Sequence, residues 1–366
     1  METSSGTLRR LARYAPAICL LLLLLGCAEN YPQTTLNPRG DFARMVDQLF
    51  RTTVWWAVVV FVLVEGALVF AIFKFRGRPD DPEPKQVHGN TMLEVVWTII
   101  PAAILVFIAV PTIKTIFKTS DYATGDVVQI EVLGHQWWWE FRYPGLGVVT
   151  ANEMHVPVGK TVNLRMTTVD VLHSFWVPQF AAKRDVFPKK HNPLWFKAEV
   201  TGSFSGQCAE FCGVQHARMG FRVISESPEE FAAWVARQRV GSPLVNAGVV
   251  APDTTAPADS AARAARLGAD SLAKAGLALF SSAGCISCHS MVGTPLAGTT
   301  ALKGPNLSHV GSRSTIVAGL LENTPENLRK WLSNPDSVKK GTLMVLPRKL
   351  TDAEITLLVA YLRAHQ

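Results

Sequence analysis

Cys208-Ala209-Glu210-Phe211-Cys212-Gly213-Val214-Gln215-His216-Ala217-Arg218-Met219 gathers two thiols, an imidazole and a thioether within one short loop. Soft sulfur ligands select copper, and a Cys/His set with a weak thioether is the blue-copper pattern. A mononuclear site of that kind uses one thiolate, whereas Cys208 and Cys212 supply two. Two thiolates facing one way can bridge two metals, each of which then needs one imidazole and one weak ligand. His216 is the nearer imidazole, Met219 the thioether, and the Glu210 carbonyl lies between the cysteines. The second imidazole must come from elsewhere, and His173 in Val171-Leu172-His173-Ser174-Phe175 follows a strand-like run. A Cys2His2 zinc site is the alternative, and it leaves Met219 without a use.

Around this loop the apolar residues have period two. Val128, Ile130 and Val132 alternate with polar residues, as do Val162, Leu164 and Met166, and Phe196, Ala198 and Val200. Half-buried strands separated by loops predict a Greek-key sandwich or barrel. The loop falls between the Phe196 strand and the Phe221-Arg222-Val223 strand, at one rim. Ser227, Pro228 and Glu230 predict a capped closing helix.

Upstream, residues 1–26 read as an export signal: Arg9, Arg10 and Arg13 precede an apolar stretch from Ala15 to Leu25. Two longer apolar runs follow, at about 54–73 and 93–117, each long enough to cross a bilayer core of roughly 30 Å. Trp55 and Trp56 suit a membrane interface, and Pro101 and Pro111 are tolerable in a membrane helix. Lys74, Arg76, Arg78 and Lys85 between the runs predict a cytoplasmic hairpin loop, with both flanking ends outside.

Downstream, residues 241–267 are rich in Ala, Pro, Gly, Thr and Ser without a sustained period, and read as a flexible linker. Cys285-Ile286-Ser287-Cys288-His289 is then the C-x-x-C-H signature of covalent haem attachment, with His289 held under the iron. Helical stretches led by Leu272, Thr324-Pro325 and the Thr351/Glu354 capping box surround it. For the sixth ligand, Met344, Met291, His309 and His365 are the candidates. Met291 stands two residues past His289 and is poorly placed for the opposite face.

The copper-type loop, with Gly134-His135-Gln136-Trp137 and Val171-Leu172-His173-Ser174, resembles the dinuclear copper (CuA) domain of the cytochrome c oxidase subunit II family from about Asp41 to Arg239. The C-terminal extension resembles the c-type cytochrome fused to that subunit in some bacterial oxidases. This resemblance implies a multidomain membrane protein: a transmembrane hairpin over 27–118, a cupredoxin-like CuA domain over 119–240 and an all-α class I cytochrome c domain over 268–366. It makes His173, Cys208, Glu210 (through its carbonyl), Cys212, His216 and Met219 the copper ligands. Met344 becomes the second axial haem ligand, although the family usually has Pro directly after this Met and here Val345 and Leu346 precede Pro347. Trp137 matches the residue where electrons enter, and Trp138 stands where the family usually has Tyr; strand packing is the plainer role for Trp138 and Trp139. The Glu210 carboxylate matches a Mg2+ position shared with subunit I. Glu94 matches the mouth of a proton channel into subunit I, although an acid at a helix start is also simply dipole-compatible. Leu24-Leu25-Gly26-Cys27 resembles a lipoprotein cleavage box with Cys27 acylated.

The implied function is that of subunit II of a cytochrome c oxidase in the bacterial plasma membrane, its copper and haem domains on the outer face. It would work with subunits I and III and take electrons from an upstream cytochrome c or a quinol–cytochrome c reductase. Oxygen reduction belongs to subunit I, because this chain lacks the histidines and helices for it. Rival readings are a quinol oxidase subunit, a nitrous oxide reductase copper domain and an exported copper-delivery protein with a fused haem domain. The net charge of +7 is scattered, with no basic block interleaved with aromatics, which argues against nucleic acid. All six cysteines are accounted for by the copper loop, the haem motif, Cys27 and Cys19, leaving no pair for a structural disulfide. Glu65 lies mid-span and requires a partner. Lys and Arg number 13 against 12 Asp and Glu in residues 118–240, and 10 against 6 in residues 268–366. The two extramembrane units therefore lack opposite net charges, and the linker is expected to bring them together.

Overall fold

The computed structural model describes residues 31–77, 86, 88–239, 271–272, 274–291 and 303–365. The signal at 1–26, Cys27 and the linker at 241–267 lie outside the described residues.

Helix α1 spans Asp41–Lys74 and α2 spans Thr91–Thr119. The first begins well before the apolar run, because its opening turns belong to the extramembrane unit. The Asp41 carboxylate accepts from the Phe42 and Lys197 amides, both at 2.8 Å, and buried Phe42 meets Trp195 edge-on at 5.6 Å. Its 34 residues give about 50 Å of helix, more than a bilayer core requires. Asn90 caps α2 by accepting from the Leu93 amide at 3.2 Å. Trp56 stacks on Phe107 between the helices, while Phe61, Leu63, Phe70 and Leu105 stand exposed, a surface suited to lipid or partner helices.

Ten strands form the sandwich: β1 Val127–His135, β2 Trp138–Tyr143, β3 Val148–Ala151, β4 Glu153–Pro157, β5 Thr161–Thr168, β6 His173–Trp176, β7 Arg184–Val186, β8 Asn192–Lys197, β9 Gly202–Cys208 and β10 Gly220–Glu226. One sheet has the order β3-β2-β1-β5-β8 and the other β4-β10-β9-β6-β7. The β1–β5 pair is parallel, with Ile130 opposite Leu164, and the β10–β4 pair is parallel too. Ile130, Val132, Val162, Leu164 and Met166 are buried with Phe175, Phe221 and Val223 of the opposite sheet in one core. Gly206 permits close packing of Phe221, whose ring a Cβ there would meet at 2.3 Å. Helix α3, Pro228–Arg239, closes the unit behind the Ser227/Glu230 capping pair, and Trp234 stacks on His155 at 4.2 Å.

The C-terminal unit is helical at 274–282 (α4) and carries α5 Pro325–Ser333, α6 Pro335–Val338 and α7 Asp352–Ala364, with a small hairpin of β11 Thr315–Ile316 and β12 Leu321–Glu322. Phe280, Leu328, Leu332, Ile355, Leu358 and Tyr361 form its core. Thr324 caps α5, and the Thr351/Glu354 capping box opens α7 as the sequence predicts. A Cβ on Gly276 would meet the Leu357 carbonyl at 2.4 Å, so α4 and α7 cross closely there. This unit does not merely hang on its linker. It packs against the sandwich, burying Ala318 with Trp138 and Ala151.

Candidate metal centre

Cys208 ends β9, His173 opens β6, and the loop from Ala209 to Met219 folds back over both before β10 begins. The Ala209 amide bonds to the Ser174 carbonyl at 2.9 Å and the Cys208 amide to the Met219 carbonyl at 3.2 Å, pinning both ends of the loop. Gly213, with φ 115, allows the turn at Cys212; a Cβ there would sit 3.1 Å from the Trp137 ring.

The two sulfurs lie 3.8 Å apart, too far for a disulfide and close enough to flank shared metals. His173 Nδ1 stands 3.8 Å from Cys208 Sγ, and His216 Nδ1 stands 3.7 Å from Cys212 Sγ. Met219 Sδ is 3.8 Å from Cys212 Sγ, and the Glu210 carbonyl oxygen is 3.2 Å from Cys208 Sγ. The nearest donor atoms of His173, Cys208 and Cys212 all fall within 4.8 Å of one another. Every loop residue proposed from sequence is therefore gathered here, together with His173. The set is soft, nearly symmetric about the two sulfurs and complete for two small cations, which fits copper better than one tetrahedral zinc.

Electrostatics favour metal loading. The neighbouring Cys212 thiol holds Cys208 down to about 3, against a burial effect that pushes it up, with His173 assisting. Cys212 is driven up by the Cys208 thiolate and by burial. Two thiols this close share one proton, which a bound cation displaces. Burial disfavours the charged form of His173, but Asp170 and Cys208 outweigh it and raise the pKa.

Asp170 escaped the sequence reading. Its Oδ1 accepts from His173 Nε2 at 2.8 Å, which turns Nδ1 toward Cys208, while its Oδ2 accepts from the Gln136 amide at 2.6 Å. A carboxylate three residues before a candidate histidine ligand was the available signal. Gly134 matters for the same ring: a Cβ there would stand 2.9 Å from His173 Cδ2.

Trp137 is buried and donates Nε1 to the Cys212 carbonyl at 3.0 Å, joined by Gln136 Nε2 at 2.7 Å. Trp139 belongs to the core, edge-on to His173, Phe175 and Phe221. Trp138 stacks on His135 at 3.9 Å. Packing is thus the role of both. Glu94 lies apart, exposed in the first turn of α2, and Glu65 is exposed mid-helix in α1.

In the C-terminal unit, the His289 amide bonds to the Cys285 carbonyl at 3.0 Å, closing a tight turn that opens at Gly284 with φ 79. His289 Nδ1 donates to the Pro305 carbonyl at 2.8 Å, which leaves Nε2 for an iron. Burial lowers its pKa and keeps the ring neutral, as a ligand must be. Cys285, Ile286, Met344 and Leu346 border the core that contains Tyr361, whose buried hydroxyl has no hydrogen-bond partner among the described residues. A flat apolar group with two thioether links fits this cradle. Among the rival axial ligands, His309 directs Nε2 to the Gln238 carbonyl at 3.1 Å, Met291 is wholly buried, and His365 lies at the end of α7 edge-on to Tyr361.

A family model for the periplasmic domain of cytochrome c oxidase subunit II matches residues 145–226, one for its transmembrane domain matches 40–115, and one for cytochrome c matches 273–366. Cytochrome c oxidase subunit 2 of Alkalihalophilus pseudofirmus is 38% identical over 365 residues, covering 96% of each chain. Its counterpart in Bacillus sp. (strain PS3) is 36% identical and covers 94% of each. The crystal structure of the periplasmic domain of subunit II of cytochrome oxidase of Bradyrhizobium japonicum is 35% identical, covering 32% of this chain and 96% of its own, with a TM-score of 0.31. On this likeness over nearly the whole length, the chain belongs to the cytochrome c oxidase subunit II family and carries a cytochrome c domain at its C-terminus.

Proposed function

We propose that this chain receives single electrons at its cytochrome unit and delivers them through the copper loop to subunit I of a membrane oxidase that reduces oxygen to water and translocates protons. The observation that carries the reading is the pair of sulfurs 3.8 Å apart with an imidazole Nδ1 beside each. Cys208, Cys212, His173 and His216 would hold the coppers, with Met219 Sδ and the Glu210 carbonyl as weaker donors. Cys285 and Cys288 would carry the haem covalently, and His289 and Met344 would hold its iron. Bound there, these cofactors would supply one-electron carriage in both domains.

The chain's own residues keep that carriage rigid. Asp170 and Gly134 fix the His173 ring, and Gln136 and Trp137 hold the Cys212 carbonyl. Trp137 would be where electrons enter the copper loop. Exposed Phe211 beside His216 supports contact of the rim with subunit I, and the Glu210 carboxylate would reach a Mg2+ shared there. Glu94 lies in the first turn of α2 and would face the proton-channel mouth. The hairpin would cross the plasma membrane twice, with the copper and cytochrome units outside and subunits I and III beside it. A soluble cytochrome c or a quinol–cytochrome c reductase would be the donor. Acylation of Cys27 would add a second anchor.

The test is copper loading of the full chain followed by electron spin resonance. An electron shared equally between two coppers gives a hyperfine pattern that one copper cannot give. Replacing either Cys208 or Cys212 by Ser is expected to abolish it while haem attachment survives. A single-copper spectrum in the unaltered chain, or bound zinc in its place, refutes the reading. Copper readily lost to a weak chelator would favour the delivery-protein alternative.

A further inference from the structure

The C-terminal unit meets the sandwich through two patches. At the first, Lys339, only 4% exposed, donates Nζ to the Trp137 carbonyl at 2.8 Å. On either side of it, Arg218 Nη1 donates to the Val338 carbonyl at 3.1 Å and Gln215 Nε2 donates to the Lys340 carbonyl. Gly341 completes the turn with φ 75, and a Cβ there would stand 3.2 Å from Val214 Cγ2. Residues 338–341 therefore touch the copper loop or Trp137 one after another, immediately before Met344. At the second patch Glu153, 2% exposed, accepts from Ser314 Oγ at 2.5 Å, from the Thr315 amide at 2.9 Å and from Thr315 Oγ1 at 3.2 Å. Ala318 is buried beside these contacts against Trp138 and Ala151.

An ammonium removed from water costs free energy that an apolar chain of equal length would not. Lys339 at this seam therefore serves direction rather than area. It also joins one carbonyl to the next group: Trp137, whose carbonyl it holds, donates its indole N–H to the Cys212 carbonyl.

We propose that Lys339 is a positioning residue, whose hydrogen bond to the Trp137 carbonyl sets the cytochrome unit in one register on the copper loop. The 338–341 turn is then the built contact through which electrons cross between the units. Trp137 is only 8% exposed with the cytochrome unit seated beside it, so a soluble carrier delivers to the cytochrome unit rather than to Trp137 directly. This rests on the reading of the two cofactor sites above.

The test compares Lys339→Met and Lys339→Arg in the assembled oxidase. One readout is hydrogen exchange in peptides covering 137–140 and 313–318. The other is the rate of flash-induced transfer from the reduced cytochrome unit to the copper loop, one electron lost and one gained with no bond or proton change. Loss of this buried hydrogen bond, which leaves the Trp137 carbonyl without its partner, is expected to speed exchange and slow transfer by about tenfold or more, with Arg restoring most of both. Ala318→Arg, which wedges the second patch without touching Lys339, is expected to give the same loosening and slowing. Unchanged exchange and transfer in Lys339→Met, or in Ala318→Arg should the first variant fail to assemble, overturn the proposal. So does loss of the two-copper resonance in Lys339→Met with docking intact, because the residue would then serve the copper site itself. Failure of the cofactor reading is distinct: the unaltered chain would lack that resonance.

Discussion

Asp170→Asn isolates the group that orients the histidine opening β6. The carboxylate makes two directional commitments, with Oδ1 accepting from His173 Nε2 at 2.8 Å and Oδ2 accepting from the Gln136 amide at 2.6 Å. Oδ1 also accepts from the Val171 amide at 2.7 Å. An asparagine has one acceptor oxygen and one NH2, so whichever way it turns, a donor faces a backbone amide at Val171 or at Gln136, and an NH2 toward His173 forces the other tautomer. The charge-assisted bond alone is worth about 1.5–3 kcal/mol. Part of that loss falls on the fold, and part on the ring, which is then free to present either nitrogen to Cys208. Removal of such a supporting group typically weakens metal binding by about 10–100-fold, equivalent to about 1.4–2.7 kcal/mol. The assay is competition for copper against a chelator of known affinity, with a thermal melt of the copper-free chain to separate folding from binding. Copper affinity within about twofold of the unaltered chain, in a variant that folds, would refute the orienting role.

Gly134→Ala is expected to drive a Cβ against fully buried His173, whose Cδ2 would be 2.9 Å away, costing about 1–3 kcal/mol of stability and weakening copper binding; a denaturant melt and the same chelator competition check both. Gly304→Ala places a Cβ 2.6 Å from His289 Cε1 and 2.7 Å from Nδ1, so the bond to Pro305 must yield. Its expected outcome is a lower yield of haem-bearing chain and a shifted haem potential, and unaltered values of both would contradict the assignment. His365 supplies a pH dependence, since burial, aided by His309, pushes it down to about 4 from 6.5. Between those values the unfolded chain binds a proton that the folded one refuses, so stability falls as pH drops through that window, by up to about 3 kcal/mol. The acid melt of the cytochrome unit should lose this component in His365→Phe, and an identical pH profile would refute it.

The parts legible in the sequence were those whose chemistry is local. A thiol pair with a histidine and a methionine in one loop, or C-x-x-C-H, states its own use before any fold is known. Alternating Ile130, Val132, Val162 and Leu164 did face one core. Strand β9 was hidden, because Gly202-Ser203-Phe204-Ser205-Gly206-Gln207-Cys208 has almost no apolar alternation. It is a strand because Gly206 makes room for Phe221 and Cys208 reaches His173. The early start of α1 was hidden for a related reason: Asp41 and Phe42 are fixed by Lys197 and Trp195, partners more than 150 residues away that no periodicity reveals. Asp170 went unremarked in the sequence because only the fold places its carboxylate behind His173.

The meeting of the two soluble units shows where charge counting fails. With 13 basic against 12 acidic residues on one side and 10 against 6 on the other, neither long-range attraction nor its absence determines whether they dock. Net charge governs the approach over a Debye length of about 8–10 Å, whereas a docked seam depends on what is desolvated once water has left. Here the desolvated groups are the Lys339 amine, which burial pushes down to about 7, and the Glu153 carboxylate, on opposite sides. Lys339 of the cytochrome unit meets a carbonyl of the sandwich, and Glu153 of the sandwich meets hydroxyls and an amide of the cytochrome unit. Lys339 is answered by a neutral dipole, and Glu153 by neutral dipoles with the buried Arg313 guanidinium nearby; buried groups of this kind are screened little by added salt. A flexible linker would raise the local concentration of the units, and these two anchors select the register they adopt. Such a seam loosens when one dipole is misaligned and is nearly indifferent to ionic strength, the reverse of an encounter steered by surface charge.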